Sequence, residues 1–512
     1  MSAEVFTADF LRDVARGVAS RPLNQQSAPQ ARWQPVESML RSARLSYDPA
    51  NPDDRILIGA IGERLIGVAD NRHMMTVAGS RAGKSVTLGA NLLHYPGSVL
   101  VLDPKGELAR LTAQRRAALG QRVHILDPFG VMPERLRSLC KSFNPLSLLR
   151  PESPTLIEDA GLIADALVIA AGKDPHWDES ARNFLEGIML HVATDPSFEG
   201  CRNLVTVRTV IRDALLLDRL DDPDSPYRHE LGMLRNAARL ERIAAMVDAA
   251  NAIEGAARDF FEKPSNERAS VLSTVRRHTK FLDYSAMRRV LTGHDFDLAD
   301  LKRAPKGVSV FLCLPANRMG LCSRWLRVFV NLLLDAMERE KTAPPVPVLV
   351  CLDEFPVLGH MRQLEDAAGQ IASFGVKLWV FIQDWGQGKA LYKERWETFA
   401  GNAGVLQFFG NNDLATMEYV SRRLGKTIVM ATREGEVGRA QRADGLSGQS
   451  ESLELHDLLT PEEVSRQFAR DDRLKRQLVI LPGFHPLILQ RVEYFDPASP
   501  VHYAFAGLYA SD

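Results

Sequence analysis

Residues Ala78, Gly79, Ser80, Arg81, Ala82, Gly83, Lys84 and Ser85 follow the apolar run Met74 to Val77 and lead into Val86 to Leu93, where apolar residues recur at helical spacing. A strand, a glycine-bearing loop and a helix opening on Gly-Lys-Ser form a phosphate cradle. Successive backbone N–H groups point at an anion, and the helix N-terminus adds positive potential. The chain is therefore expected to bind a nucleotide triphosphate, with Lys84 reaching the β- and γ-phosphates and Ser85 placing its hydroxyl on Mg²⁺. Gly83 is expected because a Cβ there crowds the phosphates. Ala78 stands where such loops usually begin with glycine.

The second half of such a site lies far downstream. Val346 to Leu352 is an apolar run rich in β-branched residues that ends in Asp353 and Glu354. An uninterrupted run of this kind suits a strand buried on both faces of a parallel sheet, with ligands gathering at its carboxyl end. Asp353 is expected to hold Mg²⁺ through its water shell and Glu354 to polarise the attacking water. A further strand, Val376 to Ile382, ends at Gln383. At that position a polar side chain either senses the γ-phosphate and orients the water or caps the strand end, and the sequence leaves both readings open.

The elements that must position these groups follow from composition and period. The chain has 512 residues, 45% hydrophobic and 25% charged, with a formal net charge of -1. That length predicts two or three domains, and the charge supplies no global field for nucleic acid, so any such contact needs a local patch. The five cysteines form no CxxC pair, which argues against a zinc site or a disulfide framework and for a reducing cytosol. No stretch approaches the ~20 apolar residues of a membrane span.

Residues 1–50 read as an amphipathic helix around Phe6, Phe10, Leu11 and Val14, followed by a Pro- and Gln-rich arm at 21–35. Residues 51–154 read as the first part of an α/β domain. Ile56 to Gly67 resembles a hairpin, and the strands Ser98 to Leu102 and Val123 to Leu126 are joined by a helix over Leu108 to Leu119. This β-α-β order predicts a doubly wound, mostly parallel sheet. Residues 155–290 read as an all-α insert, with helices over Ala160 to Ala171, Ser180 to Thr194, Leu204 to Leu217, Leu231 to Ala250 and Ala269 to Phe281. Residues 291–512 return to the α/β domain. Its strands are expected at Val308 to Leu314, Val405 to Phe409, Thr427 to Met430 and Gln477 to Leu481, the last of the chain. Residues 432 to 452 read as a mobile loop, and the runs Arg276 to Lys280 and Arg466 to Arg476 as charged helix faces.

Several strings then match one family together. They are Asp103-Pro104-Lys105-Gly106-Glu107, Phe143-Asn144-Pro145-Leu146, Trp177 to Arg182, Arg268 to Thr274, Leu352 to Pro356, Phe408 to Asp413 and Leu458 to Val464. Over roughly Ile56 to Tyr494 the chain resembles the TraG/TraD group of type IV secretion coupling proteins, the conjugative DNA-transfer ATPases. The resemblance implies a RecA-like P-loop NTPase carrying an all-α domain. It also implies a homo-hexameric ring that uses ATP and Mg²⁺ to move single-stranded DNA with its relaxase, or an effector protein, into a secretion channel. Arg72 matches a position where some members place a basic residue facing the neighbouring subunit's nucleotide, so it is a candidate catalytic arginine in trans; a plain surface arginine fits equally.

Membrane-anchored members begin with transmembrane helices, and none is read here. The expectation is a soluble form, cytoplasmic or peripheral at the inner membrane through a partner, monomeric in isolation. Two other readings share the motifs: a recruitment adaptor that binds nucleotide as a structural ligand, and a soluble DNA-processing motor outside secretion. Glu354 favours catalysis over the adaptor, which has no need of a water-polarising carboxylate.

Overall fold

A computed structural model describes residues 31–169, 176–213, 229–434 and 449–509. The expected N-terminal helix, most of the arm, the end of the helix over Leu204 to Leu217 and residues 435–448 of the expected loop lie outside these. Strands form where β-branched and aliphatic runs are short and bounded by turns. They are β1 (Ile56–Ile61), β2 (Arg64–Val68), β3 (Met74–Ala78), β4 (Val99–Asp103), β5 (Arg122–Leu126), β6 (Val308–Cys313), β7 (Val348–Leu352), β8 (Val376–Ile382), β9 (Val405–Phe409), β10 (Lys426–Glu434), β11 (Gln449–Asp457), β12 (Arg476–Ile480) and β13 (Leu487–Gln490).

Eleven of these strands form a single sheet in the order β2-β1-β13-β12-β9-β3-β8-β7-β4-β6-β5. From β9 to β5 every pairing is parallel, whereas β12, β13, β1 and β2 extend the sheet antiparallel beyond β9. The loop strand β3 thus lies between β9 and β8, and the Asp-Glu strand β7 pairs with β8. All these carboxyl ends open on one edge.

Two apolar layers cover the sheet, because the central strands are buried on both faces. Along β4, Val99 and Val101 pack with Leu88 and Leu92 of α1 (Lys84–Leu92) and Leu108 of α2 (Glu107–Ala118), while Leu100 and Leu102 face the opposite layer. That second layer contains the helices between β5 and β6: α3 (Leu156–Leu167), α4 (His176–Thr194), α5 (Leu204–Asp213), α6 (His229–Leu240), α7 (Val247–Phe261), α8 (Ser265–His278) and α9 (Ser285–Leu291). It continues into the long α10 (Ala316–Arg339), whose Trp325 and Phe329 are buried. A wholly buried Arg116 on α2 donates to the carbonyls of Leu92, Tyr95 and Gly97 and to Ser309 Oγ, which fastens the α1–β4 turn to β6.

Four readings need correction. The helix over Leu231 to Ala250 is two helices, since the chain turns at Glu241 to Met246 and α7 packs back on α6. Residues 432–434 and 449–452 belong to a separate two-stranded ribbon, with Thr432 opposite Glu451 and Glu434 opposite Gln449. The run Arg466 to Arg476 is no helix: α15 (Pro461–Gln467; α11 to α14 are given below) stops at Gln467, and Arg476 opens β12. Gln477 to Leu481 does not hold the last strand, because β13 follows it. Among the described residues no helix is long and apolar enough to cross a membrane.

Candidate nucleotide site

The phosphate-binding loop is shaped by two glycines for different reasons. Gly83 takes φ 104°, in the left-handed region that a side chain resists, and a Cβ there meets nothing nearer than Val86 Cβ at 4.0 Å. Backbone conformation, rather than crowding within the protein, is what this chain shows to require Gly83. At Gly79 a Cβ sits 2.0 Å from the Gly410 carbonyl oxygen. The turn after β9 presses directly on the loop, which gives the Phe408 to Asp413 string a physical reason. Arg81 also takes a positive φ of 58° and is exposed.

Beneath the loop, Lys84 Nζ donates to the carbonyls of Ala78 at 3.0 Å and Gly79 at 3.4 Å. Burial lowers its pKa, and attraction from Asp353 and Glu354 opposes that shift. Ser85 Oγ donates to Asp353 Oδ2 at 3.1 Å, linking the first turn of α1 to the tip of β7. Asp353 is 8% exposed, and burial pushes its carboxyl up to about 6 against the pull of Ser85 and Lys84. Its Oδ1 is buried and has no hydrogen-bond partner. An orphaned carboxylate oxygen beside a serine hydroxyl is an all-oxygen donor set that fits a hard divalent cation such as Mg²⁺.

Glu354 stands next along the chain, and Gln383 Nε2 donates to its Oε1 at 3.4 Å. Gln383 is held in turn, since its N–H donates to Gln387 at the start of α12 (Trp385–Tyr392) and its carbonyl accepts from Asn411 Nδ2 at 3.2 Å. These groups share a cleft of about 850 Å³ whose wall includes Ser80, Arg81, Gly83, Lys84, Ser85, Asp353, Glu354 and Gln383. The structure therefore brings together the expected loop, Asp-Glu and Gln383 groups. Arg72 is not among them. It precedes β3 at the end opposite the loop, with its guanidinium on Asp70.

Sequence reasoning missed four contributors. Asp103, at the tip of β4, lines the cleft and accepts from the Ala109 N–H at 2.8 Å; burial raises its carboxyl to about 7. Lys105 and Glu107 line the same wall, 3.6 Å apart. The Asp-Pro-Lys-Gly-Glu string at a strand's carboxyl end was the available signal. Arg491, just beyond β13, donates to the Ala82 carbonyl at 2.8 Å and to those of Lys475 and Arg470, with its guanidinium 5.4 Å over the Phe409 ring. Nothing local in sequence marks it, because its partners come from three distant segments.

A Gly-Lys-Ser loop between β3 and α1, facing an Asp-Glu pair across a mostly parallel sheet, defines a RecA-like P-loop NTPase. Two solved structures share this fold. The unbound bacterial conjugative coupling protein TrwBΔN70 superposes with a TM-score of 0.61 at 15% identity, over 91% of this chain and 95% of that one. TrwB crystallised with ADP and Mg²⁺ gives 0.61 at 14% identity, over 93% and 98%. The chain belongs to the type IV secretory system conjugative DNA transfer family, whose model matches residues 24–504. It is similar to the type IV secretion system-coupling protein VirD4 of Bartonella quintana (strain Toulouse), with 26% identity over 442 residues, 83% of this chain and 63% of that protein. It is also similar to the conjugal transfer protein TraG of Escherichia coli, with 29% identity over 412 residues, 77% and 61% of the two. The chain thus spans about three fifths of the length of these curated relatives.

Proposed function

We propose that this chain is an ATP-hydrolysing coupling protein that recruits single-stranded DNA with its relaxase, or an effector protein, and drives it into a type IV secretion channel. The meeting of Lys84, Ser85, Asp353, Glu354 and Gln383 in one cleft carries the reading. ATP lies with its phosphates along the loop N–H groups and Lys84. Ser85 Oγ and Asp353 would hold Mg²⁺, which would supply positive charge against the phosphates. Glu354 takes the proton of the attacking water on a carboxylate oxygen, and Gln383 fixes the orientation of that carboxylate.

In the same reading, residues 51–154 and 291–512 form the motor, residues 155–290 an all-α domain that meets cargo, and residues 1–50 an arm. The active state is a homo-hexamer in which Arg72 leaves Asp70 for the neighbour's nucleotide; a membrane partner holds the ring at the inner membrane. Family membership supports the DNA-transfer role. With a net charge of -1, DNA contact rests on local Lys and Arg repeated around the ring. Phosphate release in Mg²⁺ is therefore expected to rise with single-stranded DNA at low salt and to lose that rise as salt increases, through counterion release. Absence of stimulation, together with absence of binding by fluorescence anisotropy at low ionic strength, would replace DNA by protein as the cargo.

A further inference from the structure

The turn that follows Glu354 is held from behind by a buried arginine. Phe355–Leu358 is a single 3₁₀ turn, with the Val357 N–H donating to the Glu354 carbonyl and the Gly359 N–H donating to that of Pro356, each at 3.1 Å. Gly359 leaves the turn at φ 66° and ψ -167°, a conformation that a side chain resists. Pro356 and Val357 line the nucleotide cleft beside Glu354, and so do Ala316, Met319 and Gly320 at the start of α10. About two helical turns further along α10 stands Arg327, which is 5% exposed.

Arg327 joins two segments. Its Nη1 donates to the carbonyls of Leu358 at 2.6 Å and His360 at 2.8 Å, and its Nε donates to that of Ala166, in the last turn of α3, at 3.1 Å. All three partners are neutral main-chain carbonyls. Burial lowers the pKa of the guanidinium to about 10, which leaves it charged at neutral pH. Burying a charge is costly, and an apolar side chain of similar volume often gives equal stability. What the guanidinium adds is direction, because a planar fork fixes carbonyls of separate segments relative to one another. Arg324, one turn earlier on α10, donates instead to the Leu167 carbonyl at 3.1 Å and to His278 Nδ1.

We infer that Arg327 is a positioning residue for ATP hydrolysis: it fixes the 355–360 turn, and through it the Glu354 carboxylate, against α10 and α3. The inference rests on the reading of Glu354 as the group that activates water. Glu354 to Leu358 spans about 8 Å of 3₁₀ helix at about 2.0 Å per residue, so a shift at the arginine reaches Glu354 through one hydrogen-bonded turn. Misplacing a reacting group by about 1 Å costs up to about a hundredfold in rate. Nucleotide binding does not pass by this route, because the loop N–H groups, Lys84 and Ser85 belong to the β3–α1 junction. The water-activating carboxylate is thus placed by the first helix of the all-α segment as well as by the sheet.

Phosphate release at saturating ATP and Mg²⁺, with ATP affinity measured by calorimetry on the same preparations, tests it. Arg327→Met fills the space without the fork and is expected to lower kcat by about tenfold to a hundredfold while ATP affinity stays at the wild-type value. Arg327→Lys, which keeps one donor group for the Leu358 and His360 carbonyls, recovers part of kcat. Arg324→Met loosens α3, leaves the turn its fork, and keeps the wild-type kcat. Should Arg327→Met fail to fold, Gly359→Ala strains the same turn with Arg327 in place and is expected to lower kcat at unchanged ATP affinity. Wild-type kcat in Arg327→Met or Gly359→Ala, an equal loss in Arg324→Met, or ATP binding that weakens in step with kcat overturns the inference. Wild type that binds ATP and releases no phosphate removes the ATPase reading and the positioning role with it; wild-type release that Arg327→Met leaves unaltered removes the positioning role alone.

Discussion

Arg491 carries the longest-range contact of the phosphate loop. Its guanidinium holds the Ala82 carbonyl, and across a planar peptide the Gly83 N–H points the opposite way. Fixing that carbonyl therefore presets a donor of the cradle. Hydrogen bonds to a charged group contribute about 1.5–3 kcal/mol each, so Arg491→Ala is expected to weaken nucleotide binding by about tenfold or more. Arg491→Lys, with one ammonium for several carbonyls, recovers part of the loss. Calorimetry measures both, and unchanged affinity in Arg491→Ala would remove the residue from the account. The residues of the loop, Asp353, Glu354 and Gln383 were legible because each follows a short apolar strand at fixed spacing. Arg491, Asn411 and the Gly79–Gly410 approach were not, since β9, β12 and β13 must first pair for these groups to meet the loop.

Among the elements, β5 closes one edge of the sheet. His124 on it is 8% exposed and stacks on Phe296, with centroids 4.6 Å apart and planes 6° apart. Burial lowers its pKa to about 4, Arg122 and Lys141 add to that shift, and Asp295 and Asp300 oppose it. An unfolded histidine titrates near 6.5. Between these values the unfolded chain binds the extra proton, so this residue's contribution to stability is full above pH 6.5 and is lost as the pH falls toward 4. Thermal melts at pH 7 and pH 5 should therefore show His124→Phe gaining on wild type at the lower pH. Parallel shifts of the two proteins would contradict the assignment.

The same scale shows where the sequence misled. The apolar period of residues 233–250 runs on without Gly or Pro, yet the chain turns there, because α6 and α7 bury more by packing on each other and on α4 than one long helix would. Strand β13 has only four residues and gains its place by completing the antiparallel pairs with β12 and β1. The helices α11 (Arg362–Gln370), α13 (Arg395–Gly401) and α14 (Leu414–Leu424) follow strand tips after β7, β8 and β9, as the parallel pattern requires.

At the scale of the whole molecule, the chain has a formal net charge of -1, and the proposed function places its ring under ligand control. A ring that needs nucleotide to complete its interfaces should be absent at low concentration without ligand. Light scattering is expected to give a monomer alone and a larger species with ATP, Mg²⁺ and single-stranded DNA. A constitutive hexamer would refute the ligand dependence.

In the proposed function Glu354 activates water at a site whose nucleotide binding depends on Lys84. The direct measurement is nucleotide affinity and phosphate release, taken side by side, for wild type, Glu354→Gln and Lys84→Ala. Glu354→Gln is expected to bind ATP as wild type does and to hydrolyse it about a hundredfold more slowly or worse, while Lys84→Ala shows no turnover. Wild-type turnover in either variant, or loss of ATP binding by Glu354→Gln with turnover intact, would contradict it.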